Sequence, residues 1–278
     1  MTRDESGVGD ERGSMRLQDR VAIVTGGGQG MGKAYAQRFL KEGAKVAIAE
    51  IDRERGERAA AELSRLGEVC FVEVDIADQE SSEACVNRVV DQLGGIDILL
   101  NNAALYDGLD FGDRSLETLR KVNDINLNGS WLMSRAVAPG MVAAGYGRII
   151  NVASTTAYLY TTPMAMTDEF AGLDSYAYPI SKWGVMGLTK FMAGQLGRYN
   201  ITVNTIVPGF TLTEASKKMT GPDGSNDFIE SIKKMTPMGV GAFEPEDMTG
   251  TAVYFASDDA RFVTAQIIVI DGGMVSPS

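Results

Sequence analysis

The 278-residue chain contains no histidine. That absence excludes Ser-His-Asp and Cys-His nucleophilic chemistry, histidine-ligated zinc and an imidazole general base. Acid–base work near neutral pH is left to Tyr, Lys, Asp, Glu or Cys with pKa values tuned by their surroundings. Cysteine is scarce: Cys70 and Cys85 alone are too few for a disulfide framework and read as buried thiols in a reducing compartment. No apolar run approaches the ~20 residues that span a bilayer. The opening segment, MTRDESGVGDERGSM, lacks the apolar h-region of a signal peptide. Positive charge is in deficit, with 26 Lys+Arg against 37 Asp+Glu and a formal net charge of −11. Such a surface repels phosphate backbones and anionic lipid heads, so neither nucleic acid nor a membrane is an expected partner. The composition points to a cytoplasmic protein with no metal site.

What is present is ordinary globular composition, 44% hydrophobic and 23% charged, in a chain long enough to bury a large core without staples. Residues 1–14 are rich in Gly, Ser, Asp, Glu and Arg and read as a disordered N-terminal extension. Met15 opens the first orderly stretch, either as the natural start or after a genuine tail. From 15 to 278 no repeat, linker or composition shift intervenes, so one domain is expected. Short β-branched runs alternate with helical patterns. Strands are predicted at Val21–Thr25, Val46–Ala49, Val69–Val74, Ile96–Leu100, Arg148–Val152, Thr202–Val207 and Ile267–Ile270. Their near-continuous apolar character suits strands covered on both faces. Helices are predicted at Met31–Glu42, Arg53–Leu66, Gln79–Leu93, Leu116–Ala144 and Tyr178–Arg198. The alternation implies an α/β fold: a Rossmann-type, doubly wound parallel sheet flanked by helices.

The first strand runs straight into Thr25-Gly26-Gly27-Gly28-Gln29-Gly30-Met31-Gly32 and then a helix. Glycines allow a sharp turn and a close approach of backbone to a pyrophosphate, and the helix N-terminus points free N–H groups at the anion. The spacing is TGxxxGxG, without the Lys-Ser/Thr of a Walker loop. Eighteen positions after Gly32, at the end of the second strand, stands Glu50. A carboxylate at about that offset accepts the adenosine ribose hydroxyls and repels a 2′-phosphate. Gln29 and Ile51 supply no cation for that phosphate, so NAD is the expected cofactor over NADP. Arg53 and Arg55 are the cations nearest by. Asp52 is a second candidate for the ribose and otherwise caps the helix that begins at Arg53.

Further motifs follow in a fixed order. They are Asp75-Ile76, Asn101-Asn102-Ala103-Ala104, Asn126 within Ile-Asn-Leu-Asn-Gly, Ser154 within Asn-Val-Ala-Ser, Tyr178-Pro-Ile-Ser-Lys182, Pro208-Gly209 with Thr213 beyond, and Asp271-Gly272-Gly273. From about residue 17 to 273 the chain resembles the short-chain dehydrogenase/reductase family. The resemblance implies that Asp75 and Ile76 hold the adenine and that Asn102 and Ala103 line the cofactor cleft. Backbone near Val207, with Pro208 and Gly209, would hold the nicotinamide carboxamide. Gly26, Gln29, Gly30, Met31 and Gly32 would cradle the phosphates, with Thr211 or Thr213 closing over the cofactor. It also implies a catalytic set of Asn126, Ser154, Tyr178 and Lys182. Tyr178 and Lys182 lie four apart, on one face of a helix. A free phenol has a pKa of ~10, and a lysine ammonium beside it, with a positive nicotinamide ring, lowers that value so that Tyr178 can exchange a proton with the substrate oxygen. Lys182 would also grip the nicotinamide ribose, Ser154 would stabilise the reacting oxygen, and Asn126 would hold a helix open for a water relay to Lys182. Tyr176 is excluded as the base because Ile180, not lysine, lies one turn beyond it.

Ser154 and Tyr178 are 24 positions apart (178 − 154), wider than the family usually shows. The extra segment, Tyr158–Ser175, begins with aromatic and Met residues and continues with Asp168, Glu169 and Asp174. It is either a wall of the substrate cleft, through Tyr158, Tyr160, Met164 and Met166, or an ordinary surface loop. Phe210, Met219 and Met235 belong to a candidate substrate lid. Ala104 and Ala265 stand where the family favours Gly. The expected activity is NAD(H)-dependent interconversion of a secondary alcohol and a ketone. The expected substrate is bulky and largely apolar (alicyclic, terpenoid, aromatic or steroid-like), bound by Ser154, Tyr160, Tyr178 and Phe210. The alternative is a catalytically silent NAD-binding regulator, disfavoured by the intact Ser, Tyr and Lys. A dehydratase or epimerase is disfavoured by the glycine spacing. The long helices resemble those of a four-helix subunit interface, so a homodimer or homotetramer is expected.

Overall fold

The computed structural model describes residues 15–106, 115–159, 173–219 and 227–276. Predicted features at residues 1–14, Tyr160, Met164, Met166, Asp168 and Glu169 lie outside them, as does the side chain of Met219. Seven strands form one sheet: β1 Val21–Thr25, β2 Lys45–Glu50, β3 Val69–Glu73, β4 Ile98–Asn101, β5 Gly147–Val152, β6 Ile201–Pro208 and β7 Ile267–Ile270. Their order is β3-β2-β1-β4-β5-β6-β7, and every pairing is parallel. The order reverses between β1 and β4, the place where open α/β sheets leave a crevice at the strands' carboxyl ends.

Alternation along the strands feeds two cores. Ala22, Val24, Ile48 and Leu100 face the helices α1 (Gly30–Lys41) and α8 (Thr249–Ala256) on one side. Ile23, Ala47, Leu99 and Ile149 face α3 (Gln79–Leu93), α5 (Gly129–Ala144) and α6 (Ala177–Leu196) on the other. Side chains of successive strand residues point to opposite faces, so both must be apolar when helices cover both. Helix α2 (Arg53–Leu63) packs beside β3.

The single long helix expected at Leu116–Ala144 is interrupted. Helix α4 (Leu116–Asn123) passes into a π-helical turn at Asp124–Asn128 before α5 resumes the ordinary pitch. Such one-turn widenings re-aim the groups they contain, and this one contains Asn126. Two helices not predicted from the pattern are α7 (Asp227–Met235) and α8. The latter follows a 3-10 turn at Pro245–Met248, where Glu244 and Asp247 form a reciprocal capping box.

Candidate active site

At the carboxyl edge of the sheet opens a cavity of about 1070 Å³. Its wall includes Gly26, Gln29, Gly30, Met31, Gly32, Glu50, Asp75, Ile76, Asn102, Ala103, Tyr178, Lys182, Pro208, Gly209, Thr211 and Thr213, together with Ser154 and Phe210, but neither Asp52 nor Val207. Asn126 lies behind that wall.

The glycine turn is shaped for an anion. Gly26 has φ +63°, and a Cβ on Gly32 would stand 2.0 Å from the Gly26 carbonyl oxygen, so only glycine fits there. The caps show where free donors are left. Asp52 accepts from Arg55 N at the start of α2, and Asp78 from Ser81 N at the start of α3. Helix α1 has no side-chain cap and no acid in its first turn, which leaves N–H groups directed at the cavity. Thr25 braces the turn, accepting from Asn102 N and Ala103 N at 3.0 Å each. Asn102 Nδ2 in turn donates to the Thr25 carbonyl at 3.0 Å. The Asn102 side chain therefore stitches the glycine turn to the end of β4 while the residue lines the cleft. Thr213 packs over Gly30, where a Cβ would lie 3.3 Å from it, and Ser216 ties it down through Thr213 N at 2.8 Å. The Thr211 hydroxyl donates to the Gly209 carbonyl at 3.1 Å.

Glu50 is buried, with 5% exposure. Its carboxylate accepts from Gly28 N at 3.2 Å, Ile51 N at 3.0 Å, Asp52 N at 3.3 Å and Arg55 Nη2 at 2.9 Å. Asp52 serves as the helix cap. Asp75 Oδ1 accepts from Ala77 N at 2.9 Å.

The catalytic set converges across β5 and α6. Tyr178 and Lys182 both turn inward from α6, with the ammonium 5.5 Å from the phenol ring centroid. Lys182 Nζ donates to the Val152 carbonyl at 2.9 Å. Ser154 stands two residues beyond β5 and caps a 3-10 turn. Its Oγ accepts from Thr156 N at 3.2 Å and Thr156 Oγ1 at 3.0 Å, which directs its one proton toward Tyr178, its hydrogen-bond partner. Tyr176 sits outside this set, half-exposed, with φ +46° at the N-terminus of α6.

Asn126 reaches the set indirectly. Its Oδ1 accepts from Leu105 N at 2.7 Å, and its Nδ2 donates to the Leu105 carbonyl at 3.1 Å and Ser181 Oγ at 3.1 Å. Ser181 donates to the Tyr178 carbonyl at 2.7 Å. The π-helical turn thus clips the segment after β4 onto the catalytic helix.

With the protein's own groups alone the Tyr178 phenol lies above its usual value, whereas the lowering expected above involves the positive nicotinamide ring as well as Lys182. Burial pushes the phenol well above its usual value, Tyr106 adds to the rise, and only the Ser154 hydrogen bond opposes it. Burial also lowers Lys182 to about 8. Desolvation sets both directions because both groups lie in the same water-poor wall.

The substrate side is aromatic and aliphatic. Tyr106 stacks edge-on against Tyr178 with centroids 5.2 Å apart, and Phe210 against Phe228 at 5.1 Å. Leu159, Ile232, Met235 and Met274 complete the wall, with Glu214, Asp227 and Ser231 among the polar groups. Thr156 and Tyr106 carry no motif signal of their own, lying only near Ser154 and the Asn-Asn-Ala-Ala turn, whereas Ser181 lies inside the Tyr178-Pro-Ile-Ser-Lys182 motif without having been given a role.

Comparison with known proteins agrees with this geometry. A family model described as Enoyl-(Acyl carrier protein) reductase matches residues 26–275. The chain belongs to the short-chain dehydrogenase/reductase family. Among its relatives, D-threitol dehydrogenase of Mycolicibacterium smegmatis is 36% identical over 265 residues, covering 93% of this chain and 94% of that protein. The (+)-borneol dehydrogenase 2 of Salvia officinalis is 31% identical over 269 residues, covering 94% and 91%. The crystal structure of levodione reductase superimposes with a TM-score of 0.80 at 30% identity, covering 93% of this chain and 98% of that one. The chain is thus an oxidoreductase of a family that uses a nicotinamide cofactor, with alcohol dehydrogenases among its relatives. The glycine cradle, the uncapped α1 terminus and the acceptor at Glu50 fit such a dinucleotide. Among the described residues no helix is long and apolar enough to cross a membrane, and no cluster of potential metal ligands occurs.

Proposed function

We propose that the protein is an NAD(H)-dependent dehydrogenase/reductase that interconverts a bulky, largely apolar secondary alcohol and its ketone, as a cytoplasmic homo-oligomer. The observation that carries this reading is the convergence of Ser154, Tyr178 and Lys182 on one cavity with the glycine turn. A bound nicotinamide cofactor supplies or accepts the hydride. Tyr178 Oη donates a proton to the substrate oxygen in reduction and takes it back in oxidation. Ser154 would turn its hydroxyl from Tyr178 to that same oxygen, and Lys182 places a positive charge beside the phenol and would hold the cofactor ribose.

The apolar wall of Phe210, Phe228, Ile232 and Met274, and relatives named for borneol and levodione, support an alicyclic, terpenoid, aromatic or steroid-like substrate. Polyols are the rival class, favoured by the D-threitol relative and by Asp227 and Ser231 on the wall. Monitoring NADH formation across cyclic, aromatic and steroid alcohols and across polyols separates them. Polyol oxidation at comparable efficiency sinks the apolar reading. Tyr178→Phe should lower kcat by at least about a hundredfold, in the range of a lost general acid–base group, while NADH binding persists. Full turnover in that variant removes the mechanism.

A further inference from the structure

Every hydrogen-bonding position of the Ser154 hydroxyl is taken. A serine hydroxyl has two acceptor positions and one proton. Ser154 Oγ accepts from Thr156 N at 3.2 Å and from Thr156 Oγ1 at 3.0 Å, and its proton goes to Tyr178. A single residue, two places along the chain, thus fills both acceptor positions. What remains to the proton is the side of Oγ that faces Tyr178, where a substrate oxygen beside the phenol would also stand.

Thr156 is itself held in place. It sits in the middle of the 3-10 turn Thr155–Ala157, between two buried neighbours. Ala157 N donates to the Ser154 carbonyl at 3.1 Å and Tyr158 N to the Thr155 carbonyl at 2.9 Å. One residue before Ser154, Ala153 N is tied to the Ile206 carbonyl on β6 at 2.8 Å. Ala153 and Ala157 pack with Val185 and Met186 of α6, the helix that carries Tyr178 and Lys182. The turn and the catalytic helix therefore form one packed unit, and the Thr156 hydroxyl has a fixed origin relative to Tyr178. A serine hydroxyl free to rotate could accept a hydrogen bond from a substrate alcohol as readily as donate one. Only donation stabilises the charge that develops on the reacting oxygen.

We propose that Thr156 is a positioning residue for the reaction: its hydroxyl and backbone N–H together hold Ser154 as a donor to the reacting oxygen. The inference rests on the reading above, in which Ser154 meets that oxygen. Of the two contacts, the backbone one is open to almost any residue at this position, so the hydroxyl is what the threonine side chain adds. Thr156→Val keeps the branched shape but removes the hydroxyl, and Thr156→Ser does the reverse.

The test is steady-state NADH formation on the alcohol that the wild type oxidises fastest among the cyclic, aromatic, steroid and polyol compounds above. Thr156→Val should lower kcat about tenfold, the worth of one hydrogen bond. KM for the alcohol, and NADH affinity by fluorescence titration, should stay within about threefold of wild type. Thr156→Ser should recover most of the loss in kcat. Ser154→Ala should lower kcat about a hundredfold or more, as loss of a donor to the reacting oxygen does. Adding Thr156→Val to that variant should change little further, since Thr156 acts only through Ser154. A raised KM with kcat intact places Thr156 on the substrate instead, and equal losses in both backgrounds mean that it only props the turn. Either result overturns the proposal, as do an unaltered Thr156→Val and a Thr156→Ser as impaired as Thr156→Val. Ser154→Ala with wild-type turnover, or a wild type that oxidises none of the alcohols, strikes the underlying reading, whatever Thr156 does.

Discussion

Lys182 and Tyr178 are each displaced from their ordinary pKa by the same cause, and the displacements have opposite consequences for stability. Lys182 drops from 10.5 to about 8 in the folded protein. Between those values the unfolded chain binds more protons, so folding stability rises with pH. That contribution is complete above pH 10.5 and is lost as pH falls through about 8. Tyr178 is raised above 10.0, so its contribution is present below that pH and lost as pH climbs further. Lys182→Met removes the first effect and keeps the second. From pH 7 to pH 10 the wild type should gain on this variant by something on the order of 2 kcal/mol, given 1.36 kcal/mol per pKa unit. Chemical denaturation of both proteins at the two pH values measures the gap, and a gap that does not move with pH contradicts the assignment. The ordered motifs that carry the family resemblance, with Ser154 and Asn126 in place, selected these side chains from the sequence, and the four-residue spacing and the absence of histidine are consistent with them. The direction of their shifts was not legible there, because it depends on how much water the fold leaves beside them.

At the scale of elements, the turn between β1 and α1 is the most constrained piece of backbone in the site. A methyl at Gly32 would meet the Gly26 carbonyl at 2.0 Å and Asn102 Nδ2 at 2.7 Å. The first contact is backbone on backbone, so the turn must open. Gly32→Ala should cost roughly 1–3 kcal/mol of stability, as overpacking does, and weaken NADH binding more than tenfold, because the N–H groups of α1 are re-aimed. Wild-type NADH affinity in that variant would show that the turn does not hold the phosphates. This turn was readable because glycine is chosen there for backbone reasons that the sequence states outright. The strands were readable for a similar reason, since burial on both faces demands apolar runs such as Val21–Thr25, and the edge strand Ile267–Ile270 keeps the apolar run although only half-buried. The π-helical turn at Asp124–Asn128 has no such signature. It is held by contacts distant in sequence, from Asn126 to Leu105 and Ser181. Helix α7 is short, and its amphipathic pattern competes with the Gly- and Asp-rich segment before it. Helix α8 was not predicted either: the capping box at Glu244-Pro245-Glu246-Asp247 opens the 3-10 turn before it, and α8 itself has no side-chain cap.

For the whole molecule, helix α6 carries two kinds of information on two faces. Tyr178, Ser181, Lys182 and Val185 face inward, while Ile180, Trp183 and Phe191 form an outward apolar stripe, Phe191 being 84% exposed. Trp131 on α5 is exposed as well. Three large aromatics left in water on adjacent helices would be a costly surface for a monomer with this much acidic charge. Their helical spacing suits packing against the same stripe of a second copy, a two-fold arrangement in which each residue meets its symmetry mate's neighbours. In the homo-oligomer proposed above, that packing would support α6 from behind. Sedimentation velocity should show the wild type as a dimer or tetramer, and Trp183→Asp with Phe191→Asp should shift it to a smaller species. That smaller species should also melt earlier and lose turnover at low concentration, because α6 then has solvent where it had a partner. A wild type that sediments as a monomer ends the proposal. A dissociated double variant with undiminished melting temperature and kcat would show that the catalytic helix is held from inside the subunit alone.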